Sequence, residues 1–294
     1  MDISNHRIDD IWYRQTSNLS PGTITPTFIV THYTTGWNGT SSRDWLLGSA
    51  GGTANTRTSA HLVIDEDGTA WQLAPFNRRA WHAGPSRHGA LSDLNSHAVG
   101  IEFINAGWMK PMAGGGRWID DNGVIKTEGQ LNARGGFIEA QHPRVGSQTY
   151  AWPLYTESQL RIGRQIVLAL INKYDIKGIL THEEIDTRGW KTDPGPAFPQ
   201  QSFVELIDGG SDAPGAPSRF IVNATRLNVR GGPSAAAERM DPPGSIPKDT
   251  SVEITRRSGG WAYITVVAAP PTAAGTVPVG LQGWVDASYL LPAT

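Results

Sequence analysis

Apolar residues in this chain fall into short runs set well apart, and the spacing within each run predicts its element. Thr27-Phe-Ile-Val-Thr-His32 is a β-branched and aromatic run of strand length, which predicts a buried strand. Val99-Gly-Ile-Glu-Phe-Ile104 and Gly178-Ile-Leu-Thr181 read the same way. Ala60 to Gln72 reads as a hairpin, with Glu66-Asp67-Gly68 as its turn. Thr156-Glu-Ser-Gln159 is a capping box, with Thr156 as N-cap and Gln159 at the third helical position. Behind it Leu160, Gly163, Val167, Leu170, Ile171 and Tyr174 keep helical spacing, which predicts a helix to about Tyr174. Between Ala106 and Tyr155 the pattern is nearly aperiodic and rich in Gly and Trp, as in a functional loop or an insertion.

A seam follows. Residues 208–218 are Gly, Pro, Ser, Ala and Asp with no large apolar side chain, and read as a linker between a domain at 1–207 and one at 219–294. Strands mixed with a long helix make the first domain α/β or α+β. The second has short strand-like runs at Arg226–Arg230, Thr250–Thr255, Trp261–Val266 and Leu281–Val285, with no helical pattern. It reads as a small all-β barrel.

Composition narrows the function more than the fold. Among 294 residues, 25 Lys and Arg nearly balance 27 Asp and Glu, so no basic field is present to hold a phosphate backbone, and nucleic acid is not an expected partner. The absence of cysteine excludes disulfides, thiolate metal sites and thiol nucleophiles. No apolar run approaches the roughly 20 residues of a membrane span. The N-terminal segment lacks the basic start and apolar core of a secretory signal, so cytoplasmic synthesis is expected. Eleven Trp suit surfaces that grip sugars or peptides as well as they suit a core.

Two of the eight histidines, His32 and His182, each follow an apolar strand that ends in Thr. Strand ends project side chains from a rigid edge, where distant parts of a chain can assemble a site. Asp193 precedes Pro194 and is therefore held extended, which points Lys191 and Asp193 to the same side. Two His, one carboxylate and an open position make a catalytic zinc set. Taken residue by residue, two core histidines and a loop aspartate are the simpler account. His182-Glu183-Glu184-Ile185-Asp186 resembles the metalloprotease motif His-Glu-x-x-His, but Asp186 stands where the second His is required. His61 reads as a satisfied structural residue, and His6, His88, His97 and His142 as surface residues.

Five segments in this order change the weighting: Thr31-His-Tyr-Thr-Thr, Ser59-Ala-His-Leu-Val-Ile-Asp-Glu-Asp-Gly68, Arg79-Ala-Trp-His-Ala-Gly84, Val99-Gly-Ile-Glu-Phe and Lys191-Thr-Asp-Pro-Gly-Pro196. Together they resemble the zinc-dependent N-acetylmuramoyl-L-alanine amidases, the type 2 family related to peptidoglycan recognition proteins. The resemblance runs from about Thr27 to Phe198. It implies an α/β domain with a mixed sheet and flanking helices, a Zn2+ cofactor, and peptidoglycan or muropeptides as partners. It makes His32, His182 and Asp193 the zinc ligands, Glu102 the catalytic acid/base and Lys191 a second catalytic group. Trp81 and His82 would border the substrate groove. Some phage members carry a Tyr before the hairpin His and a Cys as third ligand; here those positions are Ala60 and Asp193. Leu227–Ser234, Gly259–Tyr263 and Gly283–Asp286 resemble the bacterial SH3-type domains of cell-wall hydrolases, which implies a wall-binding module. Two other readings remain at this stage: a cytoplasmic amidase that recycles soluble muropeptides, and a recognition protein without catalysis.

Overall fold

The structure, a computed structural model, describes residues 1–207, 219–240, 242–258, 261–271 and 277–292. The chain divides into two compact units, Met1–Gly210 and Ser211–Thr294. The linker read at 208–218 lies outside the described residues.

In the first unit the long apolar runs meet in one six-stranded sheet. Its strands are β1 (Trp12–Tyr13), β2 (Phe28–Tyr33), β3 (Leu62–Ile64), β4 (Ala70–Gln72), β5 (Ala98–Phe103) and, after an intervening hairpin of β6 (Phe137–His142) and β7 (Gly146–Pro153), β8 (Gly178–Thr181). The order across the sheet is β8-β2-β5-β3-β4-β1, and every neighbouring pair is parallel except the β3–β4 hairpin. All six residues of β2 and of β5 are buried, as strands covered on both faces must be.

Strand alternation sends the residues of β2 and β5 to two different environments. Ile29, Val99, Ile101 and Phe103 join the main core. That core is closed by helix α2 (Glu157–Lys173), which buries Ile166, Val167 and Leu170 completely and starts at the capping box of Thr156 and Gln159. Gly163 lets α2 approach closely, because a Cβ there would stand 2.8 Å from the Phe103 ring. Phe28, Val30 and Ala98 pack on the opposite side with Leu180 and Ile185. His32 and Glu102 stand on that second face, further along the two strands.

The stretch read as aperiodic is ordered. It forms a three-stranded sheet of Lys110–Pro111, Arg117–Ile119 and Ile125–Thr127, a short helix at Glu128–Ala133, and the β6–β7 hairpin. Strands of two or three residues are too short to show a period, and here pairing across glycine turns holds them together. The N-terminal half also contains helix α1 (Gly39–Leu47), capped by the Asn38 side chain, which the hydrophobic pattern does not mark.

The second unit is all-β. Strands β9 (Arg219–Val222), β10 (Ser251–Ser258), β11 (Trp261–Ala268), β12 (Gln282–Asp286) and β13 (Leu290–Pro292) form an antiparallel sheet in the order β12-β11-β10-β9-β13. Its core contains Val222, Leu227, Val229, Ile246, Val252, Ile264 and Val285, so the unit has apolar packing of its own.

Candidate active site

Register brings the first pieces together. His32 on β2 lies opposite Glu102 on β5, so the two side chains leave the sheet on one face at one level. Thr31 pairs with Thr181, the last residue of β8, which sets His182 beside His32. There Thr181 caps a single helical turn, α3 (His182–Ile185), with Glu184 completing the capping box. Asp193 arrives on the loop beyond. That loop is pinned where the backbone N–H of Glu183 donates to the Asp193 carbonyl at 2.9 Å and the Tyr155 hydroxyl donates to that of Pro194 at 2.7 Å.

The donor atoms converge closely. His32 Nδ1, His182 Nδ1 and Asp193 Oδ2 form a triangle with sides of 3.0, 3.0 and 2.8 Å. All three residues are buried. Ligand atoms about 2.0 Å from one tetrahedral ion stand ~3.3 Å apart, so this triangle is only slightly tighter than a filled shell. Two imidazoles and a carboxylate are also the right donor chemistry, and the three residues fit a divalent cation.

Electrostatics keeps the donors in ligating form. Burial opposes charge on Asp193, but the attraction and hydrogen bond of His182, with the His32 ring beside it, outweigh that and hold the carboxyl well below the usual carboxylate range. Burial first, and then the neighbouring His182, lowers His32 to about 4 against the pull of Asp193. Glu102 moves the other way. Burial, reinforced by the charge of Asp193, raises it well above an ordinary glutamate, and Lys191 partly offsets the rise. Its Oε2 is buried with no hydrogen-bond partner among the described residues. An unpaired buried carboxylate oxygen is costly, and such sites are commonly functional.

Glu102, His182, Lys191 and Asp193 open onto one cleft of about 830 Å³. The ordered insertion supplies another wall through Trp108, Asp121, Asn122, Arg144 and Val145. Arg144 Nη1 donates to the Lys191 carbonyl at 2.8 Å, and His142 Nε2 lies 3.0 Å from Glu183 Oε2. The surface placement read for His142 is therefore corrected: it is buried and paired behind α3. Asp186 accepts the backbone N–H groups of Trp190 and Lys191 at 2.9 and 3.1 Å, which fixes the loop that carries Lys191. His61 is satisfied, with Nε2 on the Arg78 carbonyl at 2.8 Å and Nδ1 accepting from the Gly100 N–H at 3.0 Å.

The two groove residues separate. His82 borders the cleft but is only 5% exposed and stands behind His32. Trp81 is not among the cleft-lining residues, and its indole N–H donates to Ser20 Oγ at 2.9 Å.

A sequence model of the N-acetylmuramoyl-L-alanine amidases matches residues 22–196, more than half of the chain. The chain belongs to this family. The matched stretch contains His32, Glu102, His182, Lys191 and Asp193, and it ends before the second unit. Among relatives, the Escherichia coli 1,6-anhydro-N-acetylmuramyl-L-alanine amidase AmpD is 28% identical over 201 residues, covering 64% of this chain and 85% of that protein. An AmpD of Salmonella typhimurium is 32% identical over 155 residues, which cover 52% of this chain and 59% of that protein. A solved complex of the amidase AmiD from E. coli with anhydro-N-acetylmuramic acid-L-Ala-D-γ-Glu-L-Lys superposes with a TM-score of 0.43 at 24% identity, covering 65% of this chain and 60% of that one. Among the described residues, no helix is long and apolar enough to cross a membrane.

Proposed function

We propose that the amidase reaction of this chain, hydrolysis of the amide between N-acetylmuramic acid and L-alanine in peptidoglycan, is zinc-dependent and is run by Glu102 and Lys191 beside an ion held by His32, His182 and Asp193. The observation that carries this reading is the donor triangle, set in one cleft with the unpaired Oε2 of Glu102. Zinc bound there supplies Lewis acidity at the scissile carbonyl and a water nucleophile that ionises near neutral pH. Glu102 Oε2 takes the proton of the attacking water. The water oxygen bonds to the lactyl carbonyl carbon, the C–N bond breaks, and the same carboxyl returns the proton to the departing alanine nitrogen. The Lys191 ammonium, held over the cleft by the Asp186 and Arg144 contacts to its backbone, offsets the negative charge that develops on the carbonyl oxygen. The second unit, by its likeness to SH3-type domains, serves as a module that binds the polymeric wall.

Metal content and product analysis together test this. The full chain should carry about one zinc per molecule, and His182→Ala should lose it. Glu102→Gln should keep zinc and lose roughly 10²–10⁴-fold in turnover on purified muropeptide. Full zinc occupancy in His182→Ala, or near-normal turnover in Glu102→Gln, would reject the corresponding role.

A further inference from the structure

We infer that His82 is a positioning residue: by accepting a hydrogen bond from His32 it fixes which ring nitrogen His32 presents to a metal ion, and so sets zinc affinity without touching the ion. This rests on the metal-site reading above. His82 Nε2 lies 3.3 Å from the carbonyl oxygen of Ala98, and His82 Nδ1 lies 3.1 Å from His32 Nε2. A carbonyl can only accept, so Nε2 of His82 carries the hydrogen and Nδ1 of the neutral ring is left as an acceptor. His32 Nε2 must then donate. Its Nδ1 is left with a bare lone pair, and Nδ1 is the atom that stands 3.0 Å from both His182 Nδ1 and Asp193 Oδ2. One backbone carbonyl thus selects, through two rings, the lone pair that completes the donor triangle.

The surroundings leave His82 little freedom. Asn95 Oδ1 accepts the backbone N–H of His82 at 2.9 Å and that of Ala83 at 2.7 Å. On β5 the facing residue is Gly100, where a Cβ would stand 2.4 Å from the His82 ring. His61 packs edge-on with ring centroids 5.6 Å apart. Both nitrogens of His61 are already engaged, with the Arg78 carbonyl and the Gly100 N–H, so it does not compete for His82 Nδ1. Neighbours that orient a ligating histidine in this way typically change metal affinity 10–100-fold when removed.

A packing role and a positioning role make opposite demands on a replacement. His82→Phe keeps a ring of similar size and removes the acceptor. His82→Asn shrinks the side chain but places an amide oxygen near the former Nδ1. Zinc dissociation constants of the full-length proteins, by competition with a fluorescent chelator, should rise roughly 10–100-fold for His82→Phe. They should stay close to wild type for His82→Asn. Wild-type affinity in a folded His82→Phe protein overturns the inference. Should that variant not fold, wild type decides: in the zinc-free full chain, long-range ¹⁵N–¹H NMR should show the His32 hydrogen on Nε2, and a hydrogen on Nδ1 overturns it. A wild-type chain that binds no zinc rejects the metal-site reading itself, a result distinct from unchanged affinity in the variant.

Discussion

At the scale of single residues, the cleft separates groups that resemble one another in composition. Glu102 and Asp193 are both buried carboxylates, yet burial dominates in one and two histidine partners dominate in the other, so their proton affinities move in opposite directions. In the proposed reaction this divergence lets one carboxyl hold a cation while the other moves protons. A pH prediction follows from the sign. Glu102 acts in the proposed reaction as a carboxylate, so turnover should rise with pH through its elevated proton affinity. Lys191 is the group that lowers that affinity. Lys191→Ala should therefore retain zinc, reduce kcat, and move the acid limb of the kcat profile to higher pH. An unmoved limb in the variant would separate Lys191 from Glu102. His32 and His182 were legible as candidates because each ends an apolar run, whereas the placement of His82 behind His32 depends on Gly100 of a strand far from it in sequence.

Elements matter here for the stiffness they give the site. β2 and β5 are central and parallel; Glu102 is paired on both sides, by β2 and β3, while His32 is paired with β5 one residue beyond the last β2–β8 pair at Thr31. Helix α2 clamps the opposite face through Phe103, the residue after Glu102, whose ring meets Tyr155, Phe198 and Phe203 at centroid distances of 6.0, 5.0 and 6.0 Å. Phe103→Ala should destabilise the first unit by about 3–5 kcal/mol, read from chemical denaturation. A cost below about 1 kcal/mol would mean that the α2 face does not hold the strand. The helix was visible in the sequence from its capping box and spacing, because both signals are local. The insertion between β5 and α2 was not, because its strands are defined only by partners across turns.

At the scale of the whole molecule, each unit has its own apolar core, and the family match stops within the first. If the second unit serves as a wall anchor, a 1–207 chain should cleave soluble muropeptide at nearly the full-length rate and slow on insoluble sacculi, where tethering raises effective concentration. Rates on the two substrates for each chain measure this, and equal loss on both would mean that residues 219–294 support the catalytic fold directly. The sequence by itself determined the strands, the long helix and the residue types of the donor set, because periodicity, caps and strand ends are short-range properties. Only the tertiary structure decided that His32 lies opposite Glu102, that the insertion walls the cleft, and that His82 stands almost fully buried behind His32 at the edge of that cleft. Those facts depend on register and crossover between segments far apart in the chain, where packing of side chains against distant partners outweighs any local preference.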